Sequence, residues 1–113
     1  YVSNNHGAAG STGRGEANLY NLASFLVVEE LRRGANPKDA GMTALQRIWE
    51  NTETRLLNEQ QEPSFNVNFY VLDKNGNHAG VAFYGVSGDG SQRNYAVCDE
   101  NGGRHEPIEG LIR

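Results

Sequence analysis

Residues 7–16 read Gly7-Ala8-Ala9-Gly10-Ser11-Thr12-Gly13-Arg14-Gly15-Glu16, four glycines and two hydroxyls set directly ahead of the most helix-like run in the chain. Such a stretch has three readings: a cradle for phosphate, a cradle for a developing oxyanion, or a tight turn. Phosphate fares worst. A P-loop needs lysine followed by Ser or Thr after its last glycine, whereas Gly15 is followed by Glu16-Ala17. The dinucleotide fingerprint fails because position 18 is Asn18 and no strand-helix-strand unit precedes it. Glu16 also sets a negative charge where a phosphate would seek helix amides. As a turn, the glycines supply unusual backbone angles, Ser11 or Thr12 caps nearby amides, and Glu16 complements the helix dipole. A hydroxyl and its adjacent amides can equally form an anion or oxyanion cradle, and the pattern alone leaves both readings open.

Downstream, Leu19, Leu22, Ala23, Leu26, Val27 and Leu31 recur at spacings of three and four, predicting one helix over Ala17–Arg33 with Phe25 and Val28 widening its buried face. Gly34 stops it. Asn36-Pro37-Lys38-Asp39 spells a second start: a capping side chain, proline at the first helical position and an acid in the first turn. This helix is expected to reach about Leu57, with Ala40, Ala44, Leu45, Ile48, Trp49 and Thr52 inside. Past Pro63 the period becomes two: Phe65, Val67, Phe69 and Val71 alternate with Asn66, Asn68, Tyr70 and Leu72. Asp73 to Asn77 is an Asn-Gly turn, Ala79–Val86 a returning strand, and Asn94–Cys98 a third. The fold class is therefore mixed α/β (α+β), two helices followed by an antiparallel sheet with the helices on one face. One domain divides into a glycine-rich segment at 1–16, two helices at 17–58 and strands at 64–99.

At 113 residues and net charge -4, with basic residues scattered, the chain lacks the basic face that nucleic-acid binding requires. No apolar run approaches the roughly 20 residues that span a bilayer. The single cysteine, Cys98, has no internal disulfide partner, and it is expected to be a buried small hydrophobe at a strand end. His6, His78 and His105 fall in three expected loops without a second ligand at metal-binding spacing, and Asp73, Asp89 and Asp99 fall in turns that favour aspartate for local hydrogen bonding. Ser87 to Ser91 carries too few acids for a calcium loop, and Trp49 reads as core. The chain opens on Tyr1 rather than methionine, and its Ser, Asn and Gly-rich lead reads as the continuation of something upstream. Compartment stays open.

The Gly7–Glu16 stretch, followed by Phe25-Leu26-Val27-Val28-Glu29-Glu30-Leu31-Arg32-Arg33-Gly34, Pro37 and Ala40, resembles the beta subunit of the glycosylasparaginases, N-terminal nucleophile hydrolases of the asparaginase type. Leu72-Asp73-Lys74-Asn75-Gly76-Asn77-His78-Ala79-Gly80 is similar to that family's hairpin, and the resemblance runs from about His6 to Val97. It implies a four-layer αββα sandwich and an oxyanion hole made by the Thr12 hydroxyl and the Gly13 amide, with Arg14 and Gly15 completing a substrate-contacting turn. No cofactor and no metal are expected.

The implied chemistry starts with autoproteolysis of a precursor. This frees a threonine whose α-amino group is the base and whose hydroxyl attacks the side-chain amide carbon of an asparagine derivative, giving an aspartyl ester that water cleaves. That threonine starts the family's beta subunit upstream of Tyr1. Neither it nor the arginine and aspartate that grip the substrate is present, so the chain alone is expected to be inert. The implied partners are an alpha subunit and the missing start of the beta subunit, in an (αβ)2 assembly. The compartment would be periplasm or cytosol in a bacterium and lysosome in a eukaryote. Two alternatives remain: the plant-type asparaginase and isoaspartyl peptidase branch, and a silent binding or structural module of the same fold.

Overall fold

Residues 1–112 are described in a computed structural model of the protein. Two of three helices pack on a five-stranded sheet, the remaining helix leans against those two, and a separate two-stranded hairpin stands beside the sheet. The chain begins with β1 (Val2–Ser3), then β2 (Gly7–Gly13), α1 (Gly15–Asn21), α2 (Ala23–Arg32) and α3 (Pro37–Glu50). After a short 3-10 turn at Thr54–Leu56 come β3 (Val67–Asp73), β4 (His78–Ala82), β5 (Asn94–Asp99), β6 (Gly102–Pro107) and β7 (Glu109–Gly110). The main sheet runs β1-β2-β3-β4-β7, antiparallel except for the parallel pair β4-β7.

The alternation in β3 does what its period predicts. Val67, Phe69 and Val71 are buried under the helices with Ala9 and Val81, while Tyr70 and Leu72 on the opposite face are exposed. Val27, Val28 and Leu31 of α2 and Ala40, Ala44, Leu45 and Ile48 of α3 complete that core. The closest approach is at Gly41, where a Cβ would stand 2.5 Å from Val81 Cγ2, so α3 presses directly on β4.

Residues 7–13 form a strand, not the turn that their glycines suggested. Gly, Ala and Ser have little strand preference of their own, but β3 offers a full ladder, with pairs from Gly7 with Asp73 to Gly13 with Val67. Small size is required at its start: a Cβ on Gly7 would run into the Leu72 carbonyl and Leu31. At the outer edge, the Tyr1 amino group donates to the Ala9 carbonyl at 2.9 Å and the Ala9 amide donates to the Tyr1 carbonyl at 3.0 Å.

The single helix expected over Ala17–Arg33 is two. Leu22 sits in the left-handed region at φ 47°, ending α1 and turning the chain into α2. The break swings Leu19 and Leu22 away from the core, and they are 71% and 66% exposed. Phe25 is also exposed, edge-on to Tyr1 with ring centroids 5.1 Å apart.

The second start is as the sequence spells it. Asn36 Oδ1 accepts from the Asp39 amide at 2.8 Å, with Pro37 at the first helical position. Asn36→Ala is expected to cost about 1 kcal/mol of stability, measured by denaturant unfolding. The helix stops at Glu50 instead of reaching Leu57. Trp49 packs against the core while its indole N–H donates to the Gln61 carbonyl at 2.9 Å.

The hairpin turn after β3 is held by Asp73, whose carboxylate accepts from the Asn75 and Asn77 amides and the Asn77 side chain. Burial works against ionisation there, yet these hydrogen bonds outweigh it and hold the Asp73 carboxyl below its ordinary value. Asp89 and Asp99 grip their own turns in the same way, through the Ser91 and Asn101 amides.

β4 ends at Ala82 instead of reaching Val86, and β5 pairs with β6 rather than joining the sheet. The reason is at the edge of β4, which is occupied by β7: the backbone at Gly85 passes so close to Ile108 and Gly110 that no side chain fits. His78 and His105 therefore lie in β4 and β6, not in loops, and Cys98 is exposed rather than buried.

Candidate active site

Opposite the helices, the sheet presents a face that its own chain covers only in part. Register places Ala8, Gly10 and Thr12 of β2 on this side, beside Leu72, Tyr70 and Asn68 of β3 and His78, Gly80 and Ala82 of β4. The β5-β6 hairpin meets one end of it through Tyr95. A Cβ at Gly80 would lie 2.5 Å from Tyr95 Cδ1, so glycine lets the ring lie down on the strand. The Tyr95 hydroxyl is hydrogen bonded to His78 Nδ1 at 2.8 Å. Burial pushes the Tyr95 phenol above its ordinary pKa, helped by the Glu106 charge. The groove between hairpin and sheet is lined by Ala8, Gly10, Tyr70, Leu72, Ala96 and Cys98.

Thr12 and Gly13 are the last two residues of β2, and both are exposed. Thr12 is paired in register with Asn68, whose Nδ2 donates to Thr12 Oγ1 at 3.0 Å. Asn68 is a buried polar residue, 7% exposed, and its Oδ1 is buried without a hydrogen-bond partner among the described residues. Gly13 must be glycine on two counts. Its φ is +126°, and a Cβ would stand 2.6 Å from the Asn66 carbonyl oxygen and 2.9 Å from Val67 Cα.

The turn into α1 is tied to the strand before it. Ser11 Oγ donates to Asn18 Oδ1 at 2.8 Å, and Asn18 Nδ2 donates in turn to the Arg14 carbonyl at 3.4 Å. Arg14 occupies the N-cap position, and Gly15 is the first residue of α1. The Arg14 guanidinium lies over the Phe65 ring at 5.6 Å and pairs with Glu16 at 3.5 Å. It lines a small cavity with Tyr20, Ile48, Thr52 and Leu56. The four residues singled out by sequence are thus contiguous, but Thr12 and Gly13 stand in the sheet while the Arg14 side chain is engaged with Phe65. Sequence reading missed Asn68, which it placed on the polar side of a strand. Only the register of β2 against β3 reveals that it faces Thr12.

β2 thus ends with the Thr12 hydroxyl on the uncovered side of a helix-backed sheet and with Gly13 leading into the turn. The chain has distant relatives among the asparaginases. It is 33% identical over 106 residues, 94% of its length, to N(4)-(Beta-N-acetylglucosaminyl)-L-asparaginase of Elizabethkingia miricola. It is also 33% identical over 83 residues, 74% of its length, to Probable isoaspartyl peptidase/L-asparaginase 3 of Arabidopsis thaliana. The chain spans 28% of the first relative and 20% of the second. No family model matches it.

Proposed function

We propose that this chain is part of an asparaginase-type amidohydrolase that cleaves the side-chain amide of an asparagine derivative. In this reading, Thr12 Oγ1 and the Gly13 amide donate to the carbonyl oxygen as it gains negative charge. The nucleophile is a chain-terminal threonine contributed from outside residues 1–113, its own α-amino group acting as base. Arg14 and Gly15 continue the turn that borders the substrate. The observation that carries the reading is the Thr12 hydroxyl, exposed on the uncovered sheet face and held by Asn68, with the exposed Gly13 next to it at the strand end.

The same face supports an αββα sandwich in the whole protein. Tyr70 and Leu72 are exposed there, and an apolar sheet surface is the kind that a second sheet covers. An alpha subunit and the remaining part of the beta subunit would supply that sheet and the nucleophile, in an (αβ)2 assembly.

Glycosylated asparagine is the substrate favoured by the longer match to the bacterial relative. The plant relative, equally identical over fewer residues, supports free asparagine or β-aspartyl dipeptides as the second reading. Offering all three substrate classes to the full-length protein separates them. Release of aspartate from glycosylated asparagine is the expected outcome, and cleavage of dipeptides alone would reject it. Intact mass and N-terminal sequencing of the native assembly test the nucleophile, since a companion species beginning with threonine is required.

A further inference from the structure

Thr12 does not hold its hydroxyl orientation unaided, and we infer that Asn68 is a positioning residue that keeps the Thr12 O–H pointed at the reacting carbonyl. The inference rests on the reading of Thr12 as an oxyanion donor. A hydroxyl has one proton to give and two lone pairs to receive. Asn68 Nδ2 can only donate, and at 3.0 Å it occupies one of the Thr12 lone pairs. The Thr12 proton therefore cannot be spent on Asn68 and is left for the exposed side. A hydroxyl that is already accepting a hydrogen bond is also polarised into a better donor.

Two further observations fit a residue retained for its direction. Asn68 is nearly fully buried, so its amide is not free to swing away, and the cross-strand register fixes it directly opposite Thr12. Its Oδ1 is left buried and unpaired, an arrangement that an apolar residue would avoid and that calls for an explanation in terms of role. Ala82 flanks Asn68 on β4, and Tyr70 is its neighbour two residues along the same face. Thr12, Asn68 and Ala82 carry no titratable group, which leaves the Tyr70 side chain as the titratable neighbour on this face.

The test is made in the full-length protein with whichever asparagine-derived amide it hydrolyses. Asn68→Ala is expected to lower kcat about tenfold with KM within about twofold, because the hydroxyl becomes free to rotate. Asn68→Asp is the sharper variant. Its carboxylate accepts where the amide donated, so it captures the Thr12 proton, and kcat is expected to fall about 100-fold near pH 8. Protonating that carboxyl restores a donor, so the ratio of variant to wild-type kcat is expected to rise about tenfold as pH falls from about 8 to about 5.

In a Thr12→Ala background, neither substitution is expected to reduce kcat further. Asn68 effects that multiply on top of Thr12→Ala, or Asn68→Ala with unchanged kcat, overturn the positioning role while leaving the oxyanion reading standing. Unchanged turnover in Thr12→Ala itself overturns that reading and this inference with it. Thermal unfolding of each variant reports whether it is folded. If the buried carboxylate of Asn68→Asp prevents folding, Asn68→Ala and the double variant decide alone.

Discussion

Thr12→Ala in the full-length protein is expected to lower kcat on an asparagine-derived amide by about 10² to 10³, the loss of roughly 3 to 4 kcal/mol of transition-state stabilisation that follows removal of one oxyanion donor. KM should change little, because the oxygen carries its full charge only in the transition state and the missing interaction is strongest there. Thr12→Ser keeps the hydroxyl in the same register and should retain most of the activity. The alanine variant also leaves Asn68 Nδ2 without its acceptor, a cost of about 1 kcal/mol, which is small enough for the sheet to stay folded. Turnover that is unchanged while the protein remains folded would remove Thr12 from the mechanism.

The second large effect concerns the body of the fold. Phe69 is fully buried in the middle of β3, with Ser11 and Val81 as its neighbours on either side in register. Phe69→Ala is expected to destabilise the protein by about 3 to 5 kcal/mol, since two helices and two strands surround a side chain whose space they cannot fill by collapse. Denaturant unfolding measures the loss. A midpoint that barely moves would mean that the helices do not bear on this strand. The exposed Tyr70, one residue along, serves as the control: Tyr70→Ala leaves the core between sheet and helices intact and should cost much less.

Contrasts between neighbouring residues such as these are legible in the sequence. The period of two in residues 65–72, the Asn36-Pro37 start and the Asp73 turn each carry a local signal strong enough to survive folding. What escaped reading depends on partners distant in sequence. Gly7 to Gly13 is a strand through its ladder with β3, and residues of such low strand preference do not announce that by themselves. Leu19 and Leu22 have helical spacing, but the backbone turns at Leu22, so a regular pattern of leucines ended on the outside. Nothing in Glu109-Gly110 announces a strand, yet it takes the edge of β4 and thereby excludes the β5-β6 hairpin from the sheet. At the site, the types and order of Thr12 and Gly13 were readable, whereas Asn68 sits 56 residues away from its partner and becomes visible only through pairing.

The bond between the amino group of Tyr1 and the carbonyl of Ala9 has a consequence for anything attached there. Tyr1 and Ala9 exchange hydrogen bonds in both directions, and Val2 faces Ala8, so the two strands advance in opposite senses by one residue at each step. A residue joined to Tyr1 would fall opposite Gly10, the next opposite Ser11, and the third opposite Thr12. Extending the outermost strand backwards by a single pleated span therefore leads along the sheet border to the hydroxyl on which the chemistry is proposed to turn.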